Sequence, residues 1–290
     1  MCRFAFLISF LLIIINSNAQ LVEVENNVTS GGTVVFGATN FAKTPVFLKV
    51  EFTELQNTTN DDIRIYYRKL EPGYNNLFSL LSANGRGAPY FYYKVKSYRS
   101  NPVANVDLDF PYLIPLQPGT TAQIFDVKNI DGFWGEEKLN SWYATGFKVN
   151  DGDKIYAARS GEIVEIIGNR RDEEPALWYN TWTNIITILQ PNGTLISYKN
   201  VIDKDGKLKL NQKIFAGEIL GEVALNTSEV VVLIYQHSIR DDDLLFIIPQ
   251  FVTNVGEFEM LNKSMSYNVI HPTEVRAIEM TKKEKRKIPS

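Results

Sequence analysis

Apolar and polar positions alternate along most of this chain, the two-residue period of a strand with one buried face. Residues 32–36, 46–52, 62–67, 90–98 and 106–113 follow it. Turn-forming clusters separate them: 57–62, Glu71-Pro72-Gly73, Asn84-Gly85-Arg86-Gly87 and Ser100-Asn101-Pro102. Helical periodicity is missing except at 76–81, which reads as one short turn. Several short strands at this spacing predict a β-sandwich. The row Tyr90, Phe91, Tyr92, Tyr93 puts large rings on both faces of its strand. Such rings serve as core and domain-contact packing, or as a stacking platform for sugars.

Further along, the pattern repeats itself. Val149 to Ile166 reads V-N-D-G-D-K-I-Y-A-A-R-S-G-E-I-V-E-I, and Leu210 to Val223 reads L-N-Q-K-I-F-A-G-E-I-L-G-E-V. Lys154-Ile155 and Ala157 correspond to Lys213-Ile214 and Ala216, and Gly161-Glu162-Ile163 to Gly217-Glu218-Ile219. Each copy reads as strand, glycine turn, strand. A duplicated unit of this kind predicts a small barrel-like sandwich folded from two similar halves. Strands are also expected over 244–251, 258–261 and 266–270. The expected fold is all-β in two domains, 20–116 and 117–272, with the boundary at Gln117-Pro118-Gly119.

The two ends of the chain break the pattern. Arg3 precedes an apolar run, 4–15, interrupted only by Ser9, and Ser17-Asn18-Ala19 supplies small residues at the cleavage positions. This predicts a signal peptide over 1–19 and a secreted or periplasmic product. The run is too short to span a bilayer comfortably, so no transmembrane segment is expected after cleavage. The one cysteine, Cys2, lies inside that segment, so the mature chain offers no thiol to a metal or a disulfide. Residues 273–290 read as a basic tail, Lys282-Lys283-Glu284-Lys285-Arg286-Lys287 at its heart. A frayed, solvated end is expected there, with weak attachment to anionic lipid or wall polymer as the alternative. A net charge of −3 implies no nucleic-acid partner.

Three blocks carry a resemblance: G-D-K-I-Y-A-A-R-S-G-E-I-V-E-I, then N-I-I-T-I-L-Q-P-N-G-T-L-I-S-Y (Asn184 to Tyr198), then K-I-F-A-G-E-I-L-G. In order and spacing they resemble the lysostaphin-type zinc endopeptidases, which cut peptide cross-links in bacterial cell walls. A signal peptide and a β-rich segment ending in P-Y-L-I-P (Pro111 to Pro115) further resemble secreted members from Bacteroidetes-like bacteria. The resemblance implies an N-terminal β-sandwich followed by a duplicated-hybrid-motif barrel-sandwich. It also implies where chemistry should sit. The family places a histidine and the aspartate of Y-A-x-D-F as zinc ligands. Here that stretch is Tyr143-Ala144-Thr145-Gly146-Phe147, with Gly146 in the aspartate's place and no histidine from 117 to 147. The family's H-x-H strand falls on Glu229, Val230 and Val231, and the histidine after the middle block's tyrosine falls on Asn200.

Hydrolytic zinc needs three protein ligands and an open position for water. Valine and glycine supply none. His237 and His271, the two histidines of the chain, match no ligand position. The expectation is therefore an inactive homologue with no catalytic residue, no metal and no cofactor, whose vestigial groove comprises Gly146, Asn200, Glu229 and Val231. Its expected partner is peptidoglycan or an envelope protein. The alternative is an active zinc endopeptidase rebuilt from His237, Glu229 and a distant carboxylate. Trp178, Tyr179 and Trp182 in the 168–183 insertion, and Trp134 and Trp142 in the other groove-bordering loop, either form a contact surface, cover the groove or pack on the N-terminal domain. The runs Asp172-Glu173-Glu174 and Asp241-Asp242-Asp243 read as solvated loops, since the D-x-D-x-D-G calcium pattern is missing. No G-x-S-x-G elbow or phosphate-cradling glycine loop occurs.

Overall fold

The computed structural model describes residues 21–59, 64–85, 87–127, 141–168, 184–239 and 243–286. The expected signal peptide, Trp134, the 169–183 stretch with Trp178, Tyr179 and Trp182, and Asp241 and Asp242 lie outside them.

In the first half, alternation translates directly into faces. The strands are β1 (Val22–Val28), β2 (Val34–Asn40), β3 (Val46–Gln56), β4 (Ile65–Leu70), β5 (Gly73–Leu80) and β6 (Tyr90–Tyr98). They form two three-stranded sheets, β1-β2-β5 and β4-β3-β6. Val46, Leu48, Val50 and Phe52 of β3 point inward against Val34, Phe36 and Ala38 of β2, closing one core between the sheets. Phe36 stacks on Phe78 at 4.7 Å and meets Phe52, Phe91 and Tyr93. Tyr90 and Tyr92 take the outer face. The helical turn expected at 76–81 is instead β5, because Val34 and Val35 pair with Leu80 and Ser79. Tertiary pairing overrides a weak local preference. The strand expected over 106–113 shrinks to β7 (Pro111–Tyr112). Asp107 accepts a hydrogen bond from the Asp109 backbone N–H, a side-chain turn that competes with extended pairing.

The second half carries β8 (Thr121–Asp126), β9 (Thr145–Lys148), β10 (Lys154–Tyr156), β11 (Gly161–Ile167), β12 (Ile185–Leu189), β13 (Leu195–Lys199), β14 (Val201–Ile202), β15 (Lys213–Ile214), β16 (Ile219–Val223) and β17 (Glu229–His237). After them come β18 (Leu244–Phe246), β19 (Gln250–Asn254), β20 (Glu257–Glu259) and β21 (Ser266–Asn268), then α1 (Thr273–Arg276) and α2 (Lys282–Lys285). A nine-stranded sheet runs β15-β11-β12-β13-β17-β9-β8-β21, with β18 on β17. Two three-stranded sheets, β10-β16-β14 and β20-β19-β7, complete the body. The duplicated units exchange partners: β10 of the first copy pairs with β16 of the second, and β11 of the first with β15 of the second. Gly217 carries the turn of the second copy at φ +79°, a conformation that favours glycine.

The large sheet is covered on both sides. One face packs Ile163, Ile186, Ile188, Ile196, Tyr198, Val230, Val232 and Ile234 against the small sheets. The other gathers Leu189, Leu195, Val231, Leu233, Tyr235 and Phe246, with Phe47 of the N-terminal sandwich against them. Double coverage explains why β13 is buried along its whole length and the middle of β17 is apolar without alternation. Polar ties join the two halves: Arg99 to Glu165 at 2.8 Å, Lys69 to Glu162 at 3.5 Å, and Ser100 to His237. Phe110, Tyr112, Leu113, Ile114 and Leu116, just before the expected boundary, are buried in the cores of the C-terminal body.

The C-terminal segment through residue 286 is not a frayed end. Glu279 accepts from Arg159 Nε and Nη2 at 3.0 and 2.7 Å, and both side chains are almost buried. Thr281 and Glu284 close a capping box at α2. Lys213 holds Glu284 at 2.8 Å, and with the Thr281 contacts it pulls that carboxyl down to about 2. The basic composition had hidden these two acidic anchors. No helix among the described residues is long and apolar enough to cross a membrane.

Candidate functional site

One row of residues crosses the large sheet at a single level. Ile185 of β12 pairs with Lys199 of β13, Lys199 with Val231 of β17, Val231 with Gly146 of β9, and Gly146 with Phe125 of β8. Pairing partners share a face, so all five side-chain positions look toward the Val231 and Leu233 cluster rather than the Ile196 and Tyr198 core. Two expected groove residues, Gly146 and Val231, are thus direct neighbours. Val231 is 1% exposed among apolar side chains.

Gly146 does not leave a hollow. A Cβ added there would run into the ring of Phe125. The position can carry a carboxylate only if that ring moves. Trp142 closes this side: its indole Nε1 donates to the Val127 carbonyl at 3.3 Å, and its ring lies 5.0 Å from Phe246. It packs against the apolar cluster of Leu233, Tyr235 and Phe246.

The other two expected residues sit elsewhere. Asn200 follows β13 with φ +65°, and its amide donates to the Glu229 carbonyl at 2.9 Å and to Thr227 Oγ1 at 3.3 Å. It locks the turn to the start of β17. Glu229 is an exposed first residue of that strand, opposite Lys148. The row itself takes Lys199 where the sequence comparison had pointed at Asn200. Lys199 is fully buried, and burial pushes its ammonium down to about 7. Sequence reasoning missed it. The signal was the parity of L-I-S-Y-K: Leu195, Ser197 and Lys199 share a face, and its register sets them against Tyr235, Leu233 and Val231.

The histidines lie apart from the row. His237 is half-buried at the far end of β17. Glu229 and His237 are eight residues apart on one strand, roughly 26 Å at the usual rise, so they do not share a metal. The Ser100 backbone N–H points at His237 Nδ1 at 3.4 Å, which makes that nitrogen an acceptor. Ser100 Oγ stands 2.8 Å from Nδ1 and accepts from the His237 backbone N–H at 2.7 Å. Burial, then Arg99 and Lys96, push the His237 ring down to about 4. His271 Nε2 lies 2.8 Å from the Ile114 carbonyl, and burial lowers its pKa too. Among the described residues no group of three or more His, Cys, Asp or Glu side chains is placed to hold a metal ion. The row offers apolar side chains and one lysine amine, a single nitrogen where hydrolytic zinc needs three protein ligands.

No family model matches the chain, and no curated protein matches it. Solved structures do. Csd3 from Helicobacter pylori is similar at 12% identity over 71% of this chain and 67% of that one, with a TM-score of 0.32. The catalytic domain of the peptidase lysostaphin from Staphylococcus simulans is similar at 20% identity over 42% of this chain and 84% of that one, with a TM-score of 0.29. A zinc-containing peptidase from Vibrio cholerae is similar at 10% identity over 77% and 84%, with a TM-score of 0.28.

Proposed function

We propose that this chain is a catalytically inactive relative of the lysostaphin-type endopeptidases, acting as a binding or regulatory module in the bacterial cell envelope. The observation that carries the reading is the Lys199–Val231–Gly146–Phe125 row. Two of its positions, Gly146 and Val231, are where the sequence resemblance expects ligands. The row holds a lysine amine, an isopropyl group, a bare backbone and a phenyl ring. A hydrolytic zinc ion requires three deprotonated nitrogen, oxygen or sulfur donors at fixed spacing, and Lys199 as a neutral amine would supply one. Secretion is part of the same proposal and rests on the 1–19 pattern. The partner is peptidoglycan or an envelope protein.

The test is metal content and cleavage together. Purified full chain dialysed against zinc is expected to retain less than stoichiometric metal and to release nothing from peptidoglycan, while co-sedimenting with peptidoglycan or recovering an envelope protein. One tightly held zinc per chain with cross-link hydrolysis would sink the reading and make the chain an enzyme with relocated ligands. Failure to bind either partner would leave a purely structural protein and overturn the regulatory part.

A further inference from the structure

Three stretches far apart in sequence bring their cations to one side of the molecule. Asn211 Nδ2 donates to the Lys43 carbonyl at 2.7 Å, which sets the 41–44 bend of the sandwich beside the 209–212 turn of the body. Lys213, next along, holds Glu284 at 2.8 Å and so seats α2 against the same turn. Lys43 and Lys209 are exposed, and so are Lys282, Lys283, Lys285 and Arg286 around Glu284. None of these cations forms an ion pair among the described residues. Glu284 is the one carboxylate of α2, and Lys213 already answers it. Glu162 and Glu165, on the seam between sandwich and body, are held by Lys69 and Arg99. The whole chain has a net charge of −3, so this side departs in sign from the rest. Such a concentration of one sign marks an anionic partner.

Apolar side chains stand among these charges. Phe41, two residues before Lys43, is 61% exposed, and Leu210, beside Lys209, is exposed as well. Exposed Leu21 is the third: its carbonyl accepts from the Phe41 backbone N–H at 2.9 Å. With Ala42 and Leu210 it lines one depression of about 270 Å³ between sandwich and body. A phosphate polymer in water offers no apolar phase to a phenyl or isobutyl group. A bilayer does, at the boundary of headgroups and acyl chains, while lysines on the same surface meet its phosphates.

The place where the chain enters the fold points the same way. Leu21 is the first described residue, and the apolar run 4–15 precedes it in the sequence. The part of the chain with the greatest affinity for hydrocarbon thus joins the fold on this side, beside Phe41.

We propose that this side of the molecule is a docking surface for an anionic lipid bilayer, with Leu21, Phe41 and Leu210 at headgroup depth and the lysines of the two turns and of α2 on lipid phosphates. The inference does not depend on the reading of the Gly146 groove. Flotation of the full chain with phosphatidylcholine vesicles, with and without phosphatidylglycerol, tests it. The 4–15 run is common to every arm, so the readout is the ratio of the two partition coefficients. That ratio is expected to favour the anionic vesicles by at least about ten-fold at low salt and to shrink as salt is added. Each lysine or arginine at an anionic surface strengthens adsorption roughly five-fold, so combining Lys282→Gln, Lys283→Gln and Lys285→Gln is expected to cut the ratio at least about ten-fold. No residue of α2 is buried, so this variant is expected to keep the wild-type Tm. Phe41→Ser is expected to weaken binding to the anionic vesicles several-fold and to leave its salt dependence unchanged. Soluble polyphosphate is the control for a wall-type polymer. Four results would overturn the proposal: equal partition into both vesicles, a lysine variant that binds like the wild type, a Phe41→Ser variant that does so, or polyphosphate bound as tightly as the anionic vesicles.

Discussion

Lys199 sets the most direct test at the scale of single residues. Its folded-state pKa, about 7, is below the ordinary lysine value of 10.5, so the folded chain prefers the neutral amine. Between those values the unfolded chain binds more protons, and stability rises with pH across that window. Below about pH 7 the fold carries the full charging cost, on the order of a few kcal/mol. Lys199→Met is therefore expected to raise Tm at pH 6 and to have little effect near pH 10.5, read by thermal unfolding at the two pH values. An equal effect at both would remove desolvation as the cause. Gly146→Asp has the opposite sign: the Phe125 ring must give way, which costs roughly 1–3 kcal/mol for overpacking alone. Urea midpoints measure it, and a neutral result would mean the ring has somewhere to go. Gly146 and Val231 were singled out in the sequence because their motifs are local, and the pairing of β9 with β17 makes them neighbours. Lys199 was not, because its importance lies in register with a strand more than thirty residues away.

At the scale of elements, the duplicated strand pair was readable from its echo, and the structure adds what an echo cannot show, namely that the copies trade strands. The C-terminal segment was misread for a physical reason. Lysines dominate 282–287, and composition counts charges without knowing which one is buried. Glu279, the anchor, stands alone in an ordinary stretch, and its partner Arg159 is 120 residues upstream. Arg159 is also 3.7 Å from the centre of the Phe110 ring and bonded to Tyr112 at 3.1 Å. Removing one member of a buried ion pair strands the other, at about 3–5 kcal/mol. Glu279→Ala is expected to lose that much by chemical denaturation, and Lys213→Ala, at the more exposed Glu284 pair, clearly less. Similar losses for the two would show that the tail is not held at Arg159.

For the whole molecule, the sandwich and the body meet through a seam that includes Arg99–Glu165, Lys69–Glu162 and the half-buried His237. The ring is neutral in the fold, accepting from Ser100 and facing Arg99 and Lys96. Its folded pKa, about 4, is below the ordinary 6.5, so the unfolded chain takes up the proton first. Stability is lost as pH falls from about 6.5 to 4. His237→Gln is expected to flatten that part of the Tm-versus-pH curve; an unchanged slope would assign acid sensitivity to other groups. The all-β fold was visible in the sequence as alternation and echo. The seam was not, since Ser100 and His237 are ordinary residues until folding brings them together.

The strand trade between the two copies also sets an order of events during synthesis. β10 and β11 leave the ribosome some sixty residues before the strands that complete them, β16 and β15. Until residue 223 has emerged, the first copy presents bare backbone along its edges, and pairing at that sequence distance is slow. The nascent C-terminal half therefore stays open and threadable through most of its translation, and sets only when the second echo arrives.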